Sequence, residues 1–287
     1  LSALADATLQ CAMRWAWSHL KARHRPEPRF AVIAYGKLGG KELGYGSDLD
    51  VVFVYDDDDE RAPEVYTAFV RKLITWLTTH TAAGELFEID TALRPNGNSG
   101  LLVTSMASYE NYQKGRGSNT AWTWEHQALL RSRGIAGDAG VLAAFEAIRR
   151  QILTGYGHWD KLRADVLEMR ERMRAELARG TEESFHIKHD LGGITDIEFM
   201  VQYLVLREAP RHPELVRWSD NIRQLEGLAA SGVVSAAVAA ELTDAYRGYR
   251  ERLHHLALAG QPGFMPREEA AAVAGRVRAI WDQVFAS

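Results

Sequence analysis

Two aspartates one residue apart, Asp48 and Asp50, lead into the apolar, β-branched run Val51-Val-Phe-Val-Tyr55. On an extended chain, side chains two apart leave the same face. A strand here would set the two carboxylates side by side, where like charges repel unless a cation offsets them or one takes up a proton. A divalent ion is the economical answer, because Mg²⁺ is hard and is commonly held by one or two carboxylates plus substrate phosphates. Directly ahead stand Gly46, which permits close backbone approach, and Ser47, whose hydroxyl can donate to a phosphate.

A third carboxylate, Asp90, lies in the run Leu86-Phe-Glu-Ile-Asp-Thr-Ala-Leu93, which reads as a strand. On such a strand Asp90 shares a face with Glu88, Ala92 and Arg94. If this strand pairs with Val51–Tyr55, Asp90 completes a three-carboxylate metal site. Two metals roughly 3.5–4 Å apart would then clamp an in-line phosphoryl displacement. A bare Asp-x-Asp arises by chance, and solvated acids at a strand end are its bland explanation. The Gly-Ser ahead, the apolar strand behind and Asp90 downstream favour the metal reading. Other phosphate-binding loops fail on spacing: Gly40-Lys41 is followed by Glu42 rather than Ser or Thr, and Gly44-x-Gly46 has Leu49 where a dinucleotide fingerprint needs glycine.

The elements that must position these acids follow from periodicity. Residues 2–24 read as a helix ended by Pro26 and Pro28, and Phe30–Tyr35 as a buried strand. A glycine-rich stretch, Gly36–Gly46, precedes the strand Asp50–Tyr55, and the acidic run Asp56–Glu60 reads as a solvated turn. A helix over Val65–Thr79, the strand Leu86–Leu93 and a short strand Leu101–Thr104 follow. From Ser108 onward the pattern is helical: Ser108–Lys114, Trp122–Arg131, Ala139–Leu153, Lys161–Arg179, Thr195–Leu206, Asn221–Ala230, Ser235–Leu258 and Arg267–Phe285. Strands in the first third and helices after it predict an α+β fold with an attached helical bundle, not a doubly wound sheet. The boundary is expected near Thr154-Gly-Tyr-Gly157.

Composition excludes several classes. The chain has 287 residues, 46% hydrophobic and 25% charged, so it is globular rather than disordered. One cysteine, Cys11, leaves no intrachain disulfide framework and no Cys-based zinc cluster. A net charge of −4 argues against a dedicated nucleic-acid coat. No apolar stretch nears the roughly 20 residues of a membrane span, and no targeting segment is visible, so a cytoplasmic protein without nucleic-acid or membrane partners is expected. The first residue is Leu1 rather than Met, which suggests a portion of a longer polypeptide.

Gly-Ser followed by Asp-x-Asp, with a later strand Asp, resembles the polymerase-β-type nucleotidyltransferase superfamily. Longer segments resemble bacterial glutamine synthetase adenylyltransferase: Tyr35-Gly-Lys-Leu-Gly-Gly-Lys-Glu-Leu-Gly-Tyr-Gly-Ser-Asp-Leu-Asp50, Leu93-Arg-Pro-Asn-Gly-Asn-Ser-Gly-Leu-Leu-Val103, Ala121-Trp-Thr-Trp-Glu-His-Gln127 and Gly192-Gly-Ile-Thr-Asp-Ile-Glu-Phe199. The resemblance implies a nucleotidyltransferase domain with a small mixed sheet flanked by helices at residues 1–155, then a helical bundle domain at 156–287. It implies ATP as substrate, two Mg²⁺ ions with Mn²⁺ as the alternative, glutamine synthetase as target and a PII signalling protein as regulator. That family's enzyme has two homologous halves, one adding AMP to a tyrosine and one removing it by phosphorolysis. The Gly44-Tyr-Gly-Ser-Asp48 form and the Trp-Thr-Trp-Glu-His-Gln block resemble the adding, C-terminal half. The remover, or a non-enzymatic regulatory module, are the alternatives. Carried onto this chain, Asp48, Asp50 and Asp90 are catalytic and metal-binding, and Gly46, Ser47, Lys37 and Arg94 hold nucleotide. Ala92 stands where many members carry arginine, which leaves Arg94 as the better phosphate contact.

Other polar residues divide between function and structure. Trp122 and Trp124 are expected on different sides of a helix, one packing near the nucleotide. Glu125 and His126 could order substrate or line a polar helix face. Asp196 and Glu198 could lean towards the metals, but acids favourable to a helix N-terminus are the preferred reading. His186, His189, His254 and His255 lack matching ligands and read as structural.

Overall fold

The core strands form where the sequence is apolar without alternation, because both faces of the sheet are covered. The computed structural model describes residues 1–82, 84, 87–116, 118–155 and 159–286. It divides into two compact units, Leu1–Ile152 and Leu153–Ser287. Tyr156 and Gly157, where the sequence places part of the domain boundary, lie outside the described residues.

In the first unit, helix α1 (Ser2–Ser18) leads to β1 (Phe30–Ala34), a single helical turn α2 (Gly36–Gly39) and β2 (Leu49–Tyr55). Helix α3 (Ala62–Thr78), β3 (Ile89–Asp90) and β4 (Val103–Ser105) follow, then α4 (Met106–Gln113), α5 (Thr123–Leu130), β5 (Arg133–Gly137) and α6 (Ala139–Thr154). The sheet is mixed. β1 pairs antiparallel with β2 and with β5. β2 pairs parallel with β3 at its start and with β4 at its end. Phe30, Val32, Val51 and Phe53 pack with Leu9 and Trp17 of α1 and with Phe69 and Leu73 of α3. The alternate residues Ala31, Ile33, Val52 and Val54 are buried too, on the opposite face. Asp48 and Asp50 keep step with Val52 and Val54, so the acids emerge on the face away from α1 and α3.

Two expectations change here. The strand expected over Leu86–Leu93 is reduced to Ile89–Asp90, and Leu86 itself lies outside the described residues. Just ahead of the short strand, the Glu88 carbonyl accepts the Leu49 N–H at 2.9 Å. The chain turns directly after Asp90, whose Oδ1 accepts the Ala92 N–H at 2.7 Å, so Ala92 and Arg94 do not share a strand face with it. The acidic run Asp56–Glu60 is also not a plain solvated turn. The Asp57 carboxylate is fully buried and accepts from His24 (2.8 Å), Arg25 (2.9 Å) and Tyr66 (2.7 Å). Burial alone would raise its pKa, but these bonds outweigh it and hold the carboxyl below its ordinary range.

The second unit is mainly helical: α7 (Trp159–Leu177), α8 (Ile194–Glu208), α9 (Asn221–Ala230), α10 (Ala236–Leu258) and α11 (Arg267–Ala286). A short antiparallel pair, β6 (Ser184–His186) and β7 (Phe264–Pro266), was not expected from the sequence. Helix α8 is the central element, with its apolar residues buried all round from Ile194 to Leu206. Gly192 enters it at φ +83°, and a Cβ there would lie 2.3 Å from the Ala274 carbonyl oxygen of α11, so the glycine is a packing requirement. Among the described residues no helix is long and apolar enough to cross a membrane.

Candidate active site

Strand register brings the three acids together. β2 and β3 run parallel with Asp50 opposite Asp90, and Asp48 stands two residues before Asp50, directly ahead of β2. One carboxylate oxygen from each of Asp48, Asp50 and Asp90 lies within 4.8 Å of the others. Like charges at this separation repel one another. The donor set, three carboxylate oxygens converging on one point, fits a hard divalent cation, which would reverse that repulsion. It is the one such convergent group of His, Cys, Asp and Glu found among the described residues.

The glycine-rich stretch supports the acids from β1's end. The Tyr35 N–H donates to the Asp50 carbonyl at 2.9 Å. Gly36 follows at φ +53°, and a Cβ there would stand 2.3 Å from Asp50 Oδ2. The absence of a side chain at Gly36 therefore makes room for the Asp50 carboxylate. Sequence reading passed over Gly36; a glycine directly after a buried strand was the available signal. Lys37 sits half-buried in the α2 turn, and its carbonyl accepts the Glu42 N–H at 2.7 Å. Gly46 has φ +67° with open space around its Cα, so it is needed for backbone conformation rather than packing. Ser47 Oγ accepts the Gly44 N–H at 3.2 Å, which leaves its hydroxyl proton to donate.

Arg94 lies beyond the end of β3 rather than on a strand face with Asp90. Its guanidinium donates to the Thr91 carbonyl (2.7 Å), Thr91 Oγ1 (2.8 Å) and the Asn98 carbonyl (3.2 Å), so it braces the turn that follows Asp90. Trp122 is the N-cap of α5 rather than a helical residue, and its ring is exposed. Glu125 is buried, accepting from the Tyr112 hydroxyl at 2.8 Å and from the Trp122 N–H at 2.9 Å. Burial raises its carboxyl pKa. Its partners make it a helix cap.

The second unit holds the remaining candidates. Asp196 is buried against Arg170, with Nε 2.5 Å from Oδ1, as a structural ion pair. His186 and His189 stack edge to face at 5.1 Å, and His186 lies flat on Phe264. Burial lowers the His189 pKa to about 4, with Lys188, His186 and Arg170 adding to the effect. The unfolded chain binds this proton near pH 6.5 and the folded chain does not until about pH 4, so folding stability is complete above 6.5 and falls through that window. Thermal unfolding followed at pH 7, 6, 5 and 4 is expected to show a declining midpoint, and His189→Gln to flatten the decline. An unchanged slope in the variant would remove His189 as the cause.

A small mixed sheet in which Asp50 stands in register with Asp90, with Asp48 just ahead of the strand, is consistent with a nucleotidyltransferase-type domain. Similarity to known proteins narrows the class. The profile of the glutamate-ammonia ligase adenylyltransferase family matches residues 1–148, and the chain belongs to that family. The GlnD PII-uridylyltransferase profile matches residues 160–277. The chain is 52% identical over all its length to the bifunctional glutamine synthetase adenylyltransferase/adenylyl-removing enzyme of Ralstonia nicotianae, covering 30% of that protein. It is 52% identical over 99% of its length to the enzyme of that name from Burkholderia mallei, covering 31%. It is 50% identical over all its length to the one from Aromatoleum aromaticum, covering 30%. The chain thus spans about 30% of the relatives it matches.

Proposed function

We propose that this chain transfers AMP from ATP to a tyrosine hydroxyl of glutamine synthetase, and so takes part in controlling nitrogen metabolism. The observation that carries the reading is the register of Asp50 with Asp90, which converges three carboxylates. Asp48 and Asp50 would hold two divalent ions, Mg²⁺ or Mn²⁺, and Asp90 one of them. When bound, the ions supply neutralising charge at the triphosphate and acidify the attacking hydroxyl. The tyrosine oxygen attacks the α-phosphorus in line and pyrophosphate leaves. Asp90, with Oδ1 fixed by Ala92, is assigned the phenolic proton. Gly46, Ser47 and Lys37 are assigned to the triphosphate. Arg94 is assigned to shaping the turn beyond Asp90, with any phosphate contact secondary.

Residues 1–155 are read as the catalytic domain and 156–287 as the helical domain that meets glutamine synthetase or a PII protein. The match of 160–277 to a PII-uridylyltransferase profile supports a regulatory role for that part. ATP consumption on such a target belongs in the cytoplasm. The direction of reaction rests on the Gly44-Tyr-Gly-Ser-Asp48 and Trp122-Thr-Trp-Glu-His-Gln127 forms, which resemble the adenylylating half. The relatives' name includes adenylyl removal, so phosphorolysis is the second reading.

Radiolabelled ATP, Mg²⁺ and unmodified glutamine synthetase separate these readings. Label on the target is the expected result. Release of ADP from adenylylated glutamine synthetase and orthophosphate, without forward labelling, would reverse the assignment. Neither reaction would favour a regulatory module.

A further inference from the structure

The α2 turn is a single helical turn and cannot hold its shape alone, since short helices are marginal. Yet it carries Gly36, against which Asp50 lies, and Lys37. Its anchor comes from β5, the strand that sequence reading missed. Arg133 Nε donates to the Gly39 carbonyl and Nη2 to the Leu38 carbonyl, each at 3.1 Å. These carbonyls end the turn, where a cation is also favoured by the local dipole. Arg133 is itself held by Asp6 of α1, at 2.8 Å from Nη2.

Two neighbouring contacts close the same assembly. Arg131 forms a buried ion pair with Glu42, just past the turn. The backbone of Gly39 presses on the Arg131 carbonyl so closely that a Cβ would stand 1.9 Å from its oxygen. The strand pairing of β5 with β1 is made by backbone, Ala34 opposite Arg133, and does not need the Arg133 side chain. That side chain reaches past the sheet to the turn.

We propose that Arg133, set by Asp6, is a positioning residue for nucleotide transfer: it fixes the Gly36–Gly39 turn so that the Asp50 carboxylate and Lys37 keep the geometry for metal and triphosphate. Its side-chain partners are Leu38, Gly39 and Asp6 rather than the three acids, so it acts through the turn. The inference rests on reading the triad as a metal–nucleotide site.

The test measures binding rather than turnover, on the full chain, with Mn²⁺ alone and Mn²⁺·ATP as probes. Mn²⁺ binding is followed by electron paramagnetic resonance and ATP binding by equilibrium dialysis. Arg133→Met keeps the apolar stem and removes the donors. Its expected effect is a loss of roughly 10- to 100-fold in affinity for both probes, the range for residues that orient ligands from behind. Arg133→Lys, with one ammonium in place of the fork, should recover part of it, and Asp6→Asn should show a smaller loss. All three variants are expected to unfold at temperatures close to the parent's. If Arg133→Met does not fold, Arg133→Lys and Asp6→Asn carry the same comparison. Parent-like affinity in the folded variants overturns the positioning role. So does a loss that follows the unfolding midpoint instead of donor number. Asp50→Asn separates the two levels: if the parent binds Mn²⁺·ATP no better than Asp50→Asn does, the metal–nucleotide reading fails; if the parent binds and only Arg133 is silent, the inference alone fails.

Discussion

Asp50→Asn is expected to lower the proposed AMP transfer by on the order of 10³-fold or more, because charge stabilisation by the proposed metals would be worth several kcal/mol and each 1.4 kcal/mol is tenfold. The same change should not cost stability in metal-free buffer. Asp48, Asp50 and Asp90 offer oxygens within 4.8 Å, and removing one charge relieves two like-charge contacts. The metal-free unfolding midpoint is therefore expected to stay level or rise, while stabilisation by added Mg²⁺ or Mn²⁺ disappears. A folded Asp50→Asn protein that still labels glutamine synthetase at the parent rate would sink the metal assignment. A variant that is both inactive and destabilised would point to a structural role.

Much of this site was legible in the sequence because it is made of local pattern. A period of two fixes Asp48 and Asp50 on one face, and the apolar run behind them fixes a buried strand. Pairing with Asp90 was legible as a condition, and the structure meets it through the Leu49–Ile89 and Asp50–Asp90 register. What escaped depends on contacts distant in sequence. β5 reads Arg-Gly-Ile-Ala-Gly, whose glycines have low strand propensity, and it becomes a strand because β1 offers it an edge. Arg133 meets Leu38 and Gly39 across more than ninety residues, with no motif to announce it. Arg94 shows the reverse error. Its place on a strand face followed from extending the period beyond Asp90, but the Asp90 carboxylate captures the Ala92 N–H and ends the strand. His24, Arg25 and Tyr66 likewise turn Asp57 from one acid in a charge run into a buried anchor.

Asp196→Ala is expected to destabilise the helical unit strongly. Arg170 and Asp196 are both almost wholly buried, with 1% and 4% of their side chains exposed. Arg170 Nη2 also donates to the His189 carbonyl at 2.8 Å, while Asp196 Oδ2 accepts the Gly192 N–H at 2.6 Å. Removing the carboxylate strands a guanidinium whose Nη1 already has no hydrogen-bond partner among the described residues, and it unties the glycine turn that leads into α8. Breaking a buried pair from one side costs about 3–5 kcal/mol. At roughly 2–4 °C per kcal/mol for chains of about this size, the midpoint should fall by about 10 °C. Replacing both partners, as Arg170→Met with Asp196→Leu, should restore part of the loss, because no buried charge is then left alone. The outcome also decides what Asp196 is for. Asp196→Asn keeps an acceptor for Gly192 while removing the charge. Assayed below its unfolding transition, it should transfer AMP at close to the parent rate. A drop in activity as deep as that of Asp50→Asn, with folding intact, would instead give Asp196 a part in transfer beyond holding the fold.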